Sequence, residues 1–532
     1  MTRLWNPRWL VIGLTLLGCR ERSSPAGKPG GIVVVAAIGE PTSVLPPLAT
    51  ETVARDIGDL VYDRLADLRP GKSPIDTAAY QPRLASRWER LDSVTWRFHL
   101  APKARWADGR PVTAEDVRFS FEAFSDSILD PPARTYLAGR LRVAVEDSAT
   151  FRIIFSAPSP EQLFDATYHV RVVPEHVWGS IPKEGWGGDT VLAHLVGCGP
   201  YRVAEWKRGR FLRLDALQPA NGGPASVIWR FAADPDAALN LVLGHEADLM
   251  ELVGPTARDP RPAADSSLRL VSFPSAAYGF LAFKVHNRDG KPHPVLGDPT
   301  TRRGLAMAVD RNALARSVFG PQTVAPPGPM SRLLWIWSDS IRTLPFDTAS
   351  ARAELERAGW RVGKDGVRHR RGEPLAFDIL VPSTSSTRRA LATALQAMWR
   401  AVGARPSITT VDFPVLQQRL QAGKFESYIG AWLDDPSPRG LADQWTRAGW
   451  QGLNYGHYGN PAFDQLFDRA SVEADPAVAR RLYREAMDTL NADAPALFLY
   501  TPTNTAAVSR RLEGVQINPY SWLSDIPRWR VR

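Results

Sequence analysis

Two adjacent carboxylates, Asp434 and Asp435, form the segment of this sequence with the clearest potential for chemistry. They follow Trp432 and Leu433 and precede Pro436. A pair of carboxylates suits glycoside hydrolysis when the two groups have the required separation and environments. Either aspartate could instead cap a helix that follows the Asp-Pro turn. The sequence itself shows no catalytic geometry, so both interpretations stay open at this level.

Other residue types that often do chemistry occur here without a catalytic or metal-binding pattern. The sequence lacks G-x-S-x-G, H-E-x-x-H and P-loop motifs. His286 and His293 fall in a stretch predicted as strand and loop, which favours loop histidines over metal ligands. Cys198 lies between Gly197 and Gly199, an arrangement that favours a structural role over a nucleophile. We therefore expect no enzyme activity, no metal and no cofactor.

Length and charge narrow the class of protein. With 532 residues the chain is too long for one compact core, which predicts two or three domains. Its hydrophobic content of 44% is ordinary for a globular protein. The formal charge of +9 comes from scattered basic residues, such as those within 208–213 and 368–371. This scatter favours a solvated surface, and we expect no nucleic acid partner.

The segment from Thr95 to Phe124 carries strong local signals for a strand, a turn and a helix. Apolar and polar residues alternate over 95–100, which predicts a strand with one buried face. Asp108-Gly109 supplies a tight reversal, because glycine tolerates positive φ. Thr113 precedes Asp116 by three residues, the spacing of a capping box. We therefore predict a strand, a turn and a capped helix in that order.

This ordered segment strongly resembles the phrase WrFhLRxGvkWhDGxPvTAeDVxfSf of the extracytoplasmic solute-binding proteins, family 5, of the oligopeptide/dipeptide-binding type. Further phrases follow in the family's order over nearly the whole chain: Gly197-Cys198-Gly199-Pro200-Tyr201, Asp234 to Met250, Pro299 to Phe319, Ala351 to Trp360 and Asn454 to Tyr500. Each phrase alone is weak, whereas their joint order is specific. The chain is thus identified as a member of this family of substrate-binding proteins of ABC transporters.

The resemblance implies an architecture, the two-lobed α/β periplasmic-binding-protein type II fold with an extra subdomain inserted in lobe I. The first lobe is expected to combine residues 31–67, 184–284 and 491–532, with the inserted subdomain at 68–183. The second lobe is expected to span 285–490. Two crossover strands, near Phe273 to Asn287 and near Asn491 to Thr501, would join the lobes.

The resemblance also places candidate ligand contacts between the lobes. Peptide-binding relatives carry a W-x-x-D phrase that Trp432 and Asp435 match, and its aspartate receives the free α-amino group of the ligand. The backbone of Ala431 and Leu433 would then pair with an extended ligand. A buried carboxylate is physically suited to this role, since it offsets the desolvation of an ammonium.

Two further segments are candidates for the same cleft. Glu40, Thr42 and Ser43 match a cleft-facing turn of the relatives, although an ordinary strand exit explains them equally well. Tyr278 lies beside a predicted crossover, where it could wall the pocket or serve as a buried hinge aromatic. The 18 tryptophans keep an oligosaccharide ligand open, because aromatic rings stack on sugars, but tryptophan is more often part of a core.

The N-terminus indicates where the protein works. Arg3 and Arg8 form a positive segment before a short apolar run, Leu10 to Leu17, which ends in Leu16-Leu17-Gly18-Cys19. This segment resembles a bacterial lipobox, which implies a signal peptide at 1–18, a lipidated Cys19 and a polar tether over 19–30. The alternative is an ordinary secretory signal with an incidental cysteine. Lipid on Cys19 would anchor the protein extracytoplasmically to a membrane.

We therefore expect a monomeric substrate-binding lipoprotein of an ABC importer. It would capture a peptide or a similar small polar solute by closure of its lobes and deliver it to a permease. The alternatives are an oligosaccharide-binding member of the same scaffold and, with much less support, an extracytoplasmic hydrolase.

Overall fold

The computed structural model describes residues 30–218, 223–320, 323–433 and 435–532. The predicted signal peptide and Cys19 lie outside the described residues, as does Asp434. The strands are β1 (Gly30–Ile38), β2 (Ala66–Leu68), β3 (Tyr80–Pro82), β4 (Ala85–Arg90), β5 (Thr95–Leu100), β6 (Leu141–Val145), β7 (Thr150–Phe155), β8 (Tyr201–Lys207), β9 (Phe211–Ala216), β10 (Pro224–Ala232), β11 (Leu249–Leu252), β12 (Leu268–Pro274), β13 (Ala277–Phe283), β14 (Arg361–Val362), β15 (Arg368–Arg370), β16 (Glu373–Pro374), β17 (Ala376–Pro382), β18 (Arg405–Val411), β19 (Ser427–Leu433), β20 (Ala496–Tyr500), β21 (Thr503–Ser509), β22 (Leu512–Glu513) and β23 (Arg530–Val531).

The α-helices connect these strands and cover their faces. They are α1 (Thr52–Val61), α2 (Ala114–Phe124), α3 (Arg134–Leu137), α4 (Gln162–Thr167), α5 (Glu175–Trp178), α6 (Lys183–Trp186), α7 (Pro235–Leu243), α8 (Arg261–Ala264), α9 (Pro299–Met307), α10 (Arg311–Phe319), α11 (Thr348–Arg357), α12 (Ser386–Arg400), α13 (Phe413–Gln421), α14 (Gly440–Trp445), α15 (Pro461–Ser471) and α16 (Pro476–Asp493). In the described part of the chain, no helix is both long and apolar enough to cross a membrane.

The first lobe is built on a seven-stranded mixed sheet with the order β12-β21-β11-β1-β10-β9-β8. Its opening strand, β1, pairs in parallel with β10 and β11, which buries Val33 and Val35 completely. One face of the sheet, to which β10 contributes Trp229, packs on α1 and on Trp529. The other face packs on α7.

The four-stranded sheet β4-β5-β7-β6 and helix α2 form the subdomain that precedes β8. Strand β5 and helix α2 confirm the local predictions. Gly109 has a φ of +91°, and both hydrogen bonds of the capping box between Thr113 and Asp116 are present. The local signals were sufficient here because each hydrogen bond joins residues close in sequence.

The second lobe is built on a five-stranded sheet with the order β18-β17-β19-β13-β20. Its two faces are covered by different apolar clusters. One contains α15 and α16, and the other contains α9, α10 and α12. Strand β13 lies between β19 and β20 and is almost wholly buried, as expected for a strand that is covered on both faces.

The chain passes between the two sheets twice, at adjacent points. It leaves β12 through Ser275-Ala276 to enter β13, and it returns from β20 to β21 through Thr501-Pro502. The two crossings touch, since the Ser275 amide donates to the Pro502 carbonyl at 3.3 Å. The lobe boundaries expected from the sequence, at 284/285 and 490/491, lie several residues from these changes of sheet. An apolar run does not reveal which sheet its strand joins.

Candidate functional site

A cavity of about 280 Å³ lies directly beside the two crossings. We call it the acidic cavity. Lobe I contributes α1, the segment 168–171 and the segment 519–522, whereas the second lobe contributes Leu433 and Asp435. Ser275 and Ala276 of the first crossing also line it. The cavity therefore lies between the lobes, beside the two segments that connect them.

Asp435 and the end of β19 present the second lobe's side of this cavity. Residues Ala431, Trp432 and Leu433 pair with β13 along one edge of β19. The opposite edge pairs with β17 only at Ser427 and Tyr428, so beyond Tyr428 it has no strand partner among the described residues. Leu433 is 67% exposed, which is unusual for a large apolar side chain at a strand end. This edge can therefore accept an extended chain.

No hydrogen bond or ion pair occupies the Asp435 carboxylate among the described residues, and the side chain is half-buried. It is near enough to Tyr168 for its charge to raise the pKa of that phenol, together with the larger effect of burial. An unpaired carboxylate that faces a cavity can accept a cationic group with little further desolvation.

Three further carboxylates from lobe I face the same cavity. Asp56 is buried and accepts a hydrogen bond from Trp522 Nε1 at 2.6 Å. Burial raises the pKa of Asp56 well above its ordinary value, and the charge of Asp59 adds to this shift. Burial also raises the pKa of Glu251. Asp59 differs because it has a cationic partner, Arg171, at 2.7 Å. Burial raises the pKa of Asp59, but Arg171 and other neighbours lower it more, so the pKa lies below its usual value.

Trp432 and Tyr278 are placed away from the acidic cavity. The side chain of Trp432 points to the opposite face of β19 from Leu433, as the alternation of a strand requires. Its ring lies 6.4 Å from those of Phe280 and Tyr455. Tyr278 is completely buried, and its hydroxyl accepts a hydrogen bond from Trp445 Nε1 at 3.0 Å. Of the two interpretations of Tyr278, the structure thus favours the buried aromatic over the pocket wall.

Glu40, Thr42 and Ser43 do not line the cavity either. The Glu40 carboxylate accepts hydrogen bonds from Trp206 Nε1 at 2.7 Å and from the amide of Gly209 at 2.8 Å. It therefore fixes the β8–β9 hairpin to the end of β1. Thr42 hydrogen-bonds to a glutamate nine residues later, and the Ser43 hydroxyl accepts from the amide of the residue two positions on. These contacts match the ordinary strand exit.

The residues that sequence reasoning missed lie on α1 and in the C-terminal segment. Asp56 lies on the buried face of α1, beside Ile57 and Leu60. A carboxylate within an apolar helix face is a detectable signal, because burying a charge is costly without a function or a partner. Tyr520 and Trp522 gave no such signal, since their loop is brought to the cavity only by tertiary structure.

A buried charge cluster joins the lobes near the acidic cavity. Arg439 Nε of the second lobe lies 3.0 Å from Glu161 Oε2 of the inserted subdomain, and its guanidinium also pairs with Asp165. Glu161 accepts two more hydrogen bonds at 2.7 Å, from Trp335 Nε1 and Ser437 Oγ. We call these five residues the interlobe clasp.

The electrostatics of the clasp depend on Arg439. Burial raises the pKa of Glu161, although Arg439 opposes this shift. At Asp165 the effects of Arg439 and His169 outweigh that of burial, so its pKa lies below the usual value. The clasp holds the lobes in contact in this conformation.

Cys198 and His293, which were considered as a nucleophile and a metal ligand, make hydrogen bonds within the fold. Cys198 Sγ accepts from the amide of Asp63 at 3.4 Å, and burial raises the pKa of its thiol well above the ordinary value, which disfavours the nucleophilic thiolate. His293 Nδ1 accepts from the amide of Leu296 at 3.0 Å within its own loop. Among the described residues, no group of three or more potential ligands is arranged to hold a metal ion.

Comparison with known proteins agrees with this architecture. A family model described as bacterial extracellular solute-binding proteins, family 5 Middle, matches residues 79–452. The chain belongs to this family. The family 5 chain is 23% identical to the oligopeptide-binding protein AppA of Bacillus subtilis, over 98% of this chain and 97% of the relative. It is also 23% identical to the dipeptide-binding protein of Escherichia coli, over 96% of each.

The fold of this family 5 chain is similar to that of a solved structure. The structure of B. subtilis AppA in complex with a nonapeptide superposes with a TM-score of 0.73 at 21% identity, covering 95% of this chain and 99% of the other. This match confirms the two-lobed type II fold predicted from the sequence.

Proposed function

We propose that this family 5 protein is the extracytoplasmic, lipid-anchored receptor of an ABC importer and that it captures peptides with a free amino terminus. The ligand binds in the acidic cavity, its amino group against Asp435 and its backbone along the free edge of β19. Closure of the lobes buries the ligand, and a permease then receives it unchanged. Cys19 carries the anchoring lipid.

One observation carries this proposal. The unpaired Asp435 carboxylate lies at the end of a strand whose outer edge has no partner among the described residues, within a cavity between two lobes. A strand edge binds any extended backbone through main-chain hydrogen bonds, whatever the side chains are. A carboxylate beside that edge selects for a cationic chain end. This combination matches an α-amino group followed by a peptide backbone.

The test compares free-amine and N-acetylated forms of the same short peptides by isothermal titration calorimetry. Leaving one member of a buried charge pair without its partner costs about 2–5 kcal/mol. We therefore expect Asp435→Asn to weaken binding of free-amine peptides at least 30-fold, about 2 kcal/mol, and to change binding of acetylated peptides little. Asp443→Asn is the matched control, because Asp443 is an exposed aspartate of the same lobe outside the acidic cavity. Equal affinities of Asp435→Asn and the parent for free peptides would refute the assignment.

An oligosaccharide ligand receives less support from the contacts of Trp432. The cavity that this ring borders has a volume of about 10 Å³, which is about the space of one water molecule. A thermal-shift comparison of short peptides with oligosaccharides separates the two classes, because a ligand that binds the folded state raises the melting temperature. Stabilisation by sugars alone would favour the alternative.

A further inference from the structure

Many cationic side chains lie at one pole of the second lobe. Strands β17 and β18 run parallel to β19, and the C-terminal end of β19 borders the acidic cavity. The N-terminal ends of β17 and β18 therefore lie at the opposite end of this lobe, away from the cleft. Two chain segments meet there, because the amide of Arg368 donates to the Gly403 carbonyl at 2.7 Å. They are residues 352–373, with half of α11 and strands β14 to β16, and the loop 400–405 that leads into β18.

This pole is strongly basic. The two segments carry nine cationic side chains and four carboxylates. The excess of five positive charges is more than half of the formal charge of +9 of the whole chain. The fold joins the two segments into one surface, since Arg352 Nη2 on α11 donates to the Ala401 carbonyl of the loop at 3.1 Å. Basic residues that are scattered in the sequence are thus gathered in space.

Three of the nine cations have carboxylate partners. Arg368 is buried and lies 3.4 Å from Glu356, and Arg370 pairs with Asp298 at 3.1 Å. Arg357 pairs with the glutamate three positions earlier in α11. These three charges are therefore compensated within the fold.

The other six cations are exposed and form no ion pair among the described residues. We call them the basic pole: Arg352, Arg361, Lys364, Arg371, Arg400 and Arg405. Two exposed carboxylates, Asp365 and Glu373, lie in the same segments and have no lysine or arginine partner in the described part of the chain. Val362 adds an aliphatic side chain that is 60% exposed. Unpaired cations around an exposed aliphatic residue suit contact with an anionic, partly apolar surface.

We propose that the basic pole docks on the anionic phospholipid headgroups of the membrane that holds the lipid of Cys19. The inference rests on the lipid anchor of the proposed function and does not depend on which ligand the cleft binds. Arginine and lysine bind phosphate oxygens through charge-assisted hydrogen bonds. A lipid combined with a basic surface holds a protein at a membrane more firmly than either does alone. Each basic side chain near an anionic membrane strengthens the contact about fivefold.

The anchor makes a membrane the favoured partner, because it keeps one within reach of the protein. Eleven chain steps separate Cys19 from Gly30, about 40 Å at full extension. Gly30 lies at the pole of lobe I away from the crossings, since β12 runs in the direction of β1 and its C-terminal end leads into a crossing. Both poles can therefore meet one membrane only when the axis between them lies along it. Contact at the basic pole would not cover the acidic cavity.

Vesicle co-sedimentation of the unlipidated Cys19→Ala protein tests the surface without the anchor. The probes are vesicles of phosphatidylcholine alone and vesicles in which about a third of the lipid is phosphatidylglycerol. The neutral vesicles subtract any binding through the apolar run near the N-terminus. We expect the anionic vesicles to bind the protein at least about tenfold more tightly than the neutral ones at about 50 mM salt. Screening at about 300 mM salt should abolish the difference.

The variant that tests the residues is Lys364→Gln/Arg400→Gln/Arg405→Gln in the same unlipidated protein. The three side chains are exposed and make no hydrogen bond to another described residue, so the variant is expected to fold. Its melting temperature and its calorimetric affinity for peptides should equal those of the parent. Its binding to anionic vesicles should be at least about tenfold weaker.

The matched control is Lys103→Gln/Arg469→Gln/Arg481→Gln. It removes the same charge at three exposed cations that form no ion pair among the described residues and lie outside the basic pole. It should bind anionic vesicles within about twofold of the parent, because these charges lie away from the docked surface and are screened. Equal losses in the two variants would overturn the inference, since net charge rather than the basic pole would then determine binding.

The remaining outcomes separate this inference from the proposed function. If the parent shows no preference for anionic vesicles but binds peptides, the inference is wrong while peptide capture stands. If the basic-pole variant lowers peptide uptake by cells without weaker vesicle binding, the surface meets an acidic face of the permease and the inference is also wrong. Retention of Cys19→Ala in the membrane fraction would overturn the lipid anchor and this inference together.

Discussion

The interlobe clasp should control how readily the lobes close. Arg439 is the cation that compensates both Glu161 and Asp165, whose side chains are only 2% and 3% exposed. Replacing Arg439 by glutamine leaves two buried carboxylates without that cation. In this conformation the ion-pair partner that remains for Asp165 among the described residues is His169, at 3.6 Å. Opening of the lobes would hydrate both carboxylates, so the substitution penalises the closed conformation specifically.

The size of the effect follows from the burial of the pair. Removing one partner of a buried ion pair costs about 3–5 kcal/mol. If that cost applies only to the closed form, the closed-to-open ratio falls by about two to three and a half orders of magnitude. A ligand that needs the closed form then binds more weakly by up to the same factor.

Two measurements follow closure directly. Isothermal titration calorimetry with the peptide that binds the parent most tightly gives the affinity, and small-angle X-ray scattering gives the radius of gyration. We expect Arg439→Gln to bind at least 100-fold more weakly, about 3 kcal/mol, and to have a larger radius of gyration without ligand. Arg481→Gln serves as the exposed-arginine control. The combined variant Arg439→Gln/Glu161→Gln/Asp165→Asn carries no buried charge at this position and should recover most of the loss.

The dependence on pH distinguishes charge from packing. Without Arg439, the hydrogen bonds from Trp335 and Ser437 to Glu161 and the contact of His169 with Asp165 are what still oppose burial. The pKa of both carboxyls should therefore rise. These carboxyls should then take up protons as the pH falls from 7.5 to 5, so the binding defect of Arg439→Gln should shrink. In the parent the pKa of Asp165 lies below its usual value, so that carboxylate stays charged over this range. An unchanged affinity and radius of gyration, or a defect that does not respond to pH, would refute the reasoning.

Two further predictions concern Asp56 and the membrane anchor. The pKa of Asp56 is raised in the folded state, so folding favours proton uptake and the stability of the ligand-free protein should fall as the pH rises above about 4. In Asp56→Asn the fall in melting temperature between pH 5 and 8 should be smaller than in the parent. The control Asp236→Asn, at an exposed position, should behave like the parent. An equal fall in all three proteins would contradict the raised pKa of Asp56. Cys19→Ala should release the protein from the membrane fraction of its host and Cys198→Ala should not, and membrane retention of Cys19→Ala would exclude the lipid anchor.

The parts of the fold that depend on neighbours in sequence were predictable. The strand at 95–100, the turn at Gly109 and the capped helix from Thr113 depend on alternation, on positive φ and on a hydrogen bond over three residues. The order of such segments also gave the family and its two-lobed fold. Each local feature is encoded within a few residues, and their order can be read along the chain, so a single sequence is sufficient to predict them.

The candidate site was predictable only in part. Leu433 and Asp435 line the acidic cavity, whereas Glu40 turns away to hold Trp206, which lies 166 residues later in the chain. The sequence shows that a carboxylate follows β1 but not which distant donor will reach it. Tyr278 is similar, because a strand of continuous apolar character does not indicate whether an aromatic side chain faces a pocket or the core.

Sequence alone determined the class of this protein, since local patterns and their order specify lobes and a family scaffold. Tertiary structure alone decided the electrostatics between the lobes. Arg439 meets Glu161 across 278 positions of chain, and Arg332 reaches a cavity whose other cations come from the first lobe. Charges at such separations interact only after both lobes have folded and come into contact, because Coulomb energy depends on distance in space and on burial rather than on position along the chain.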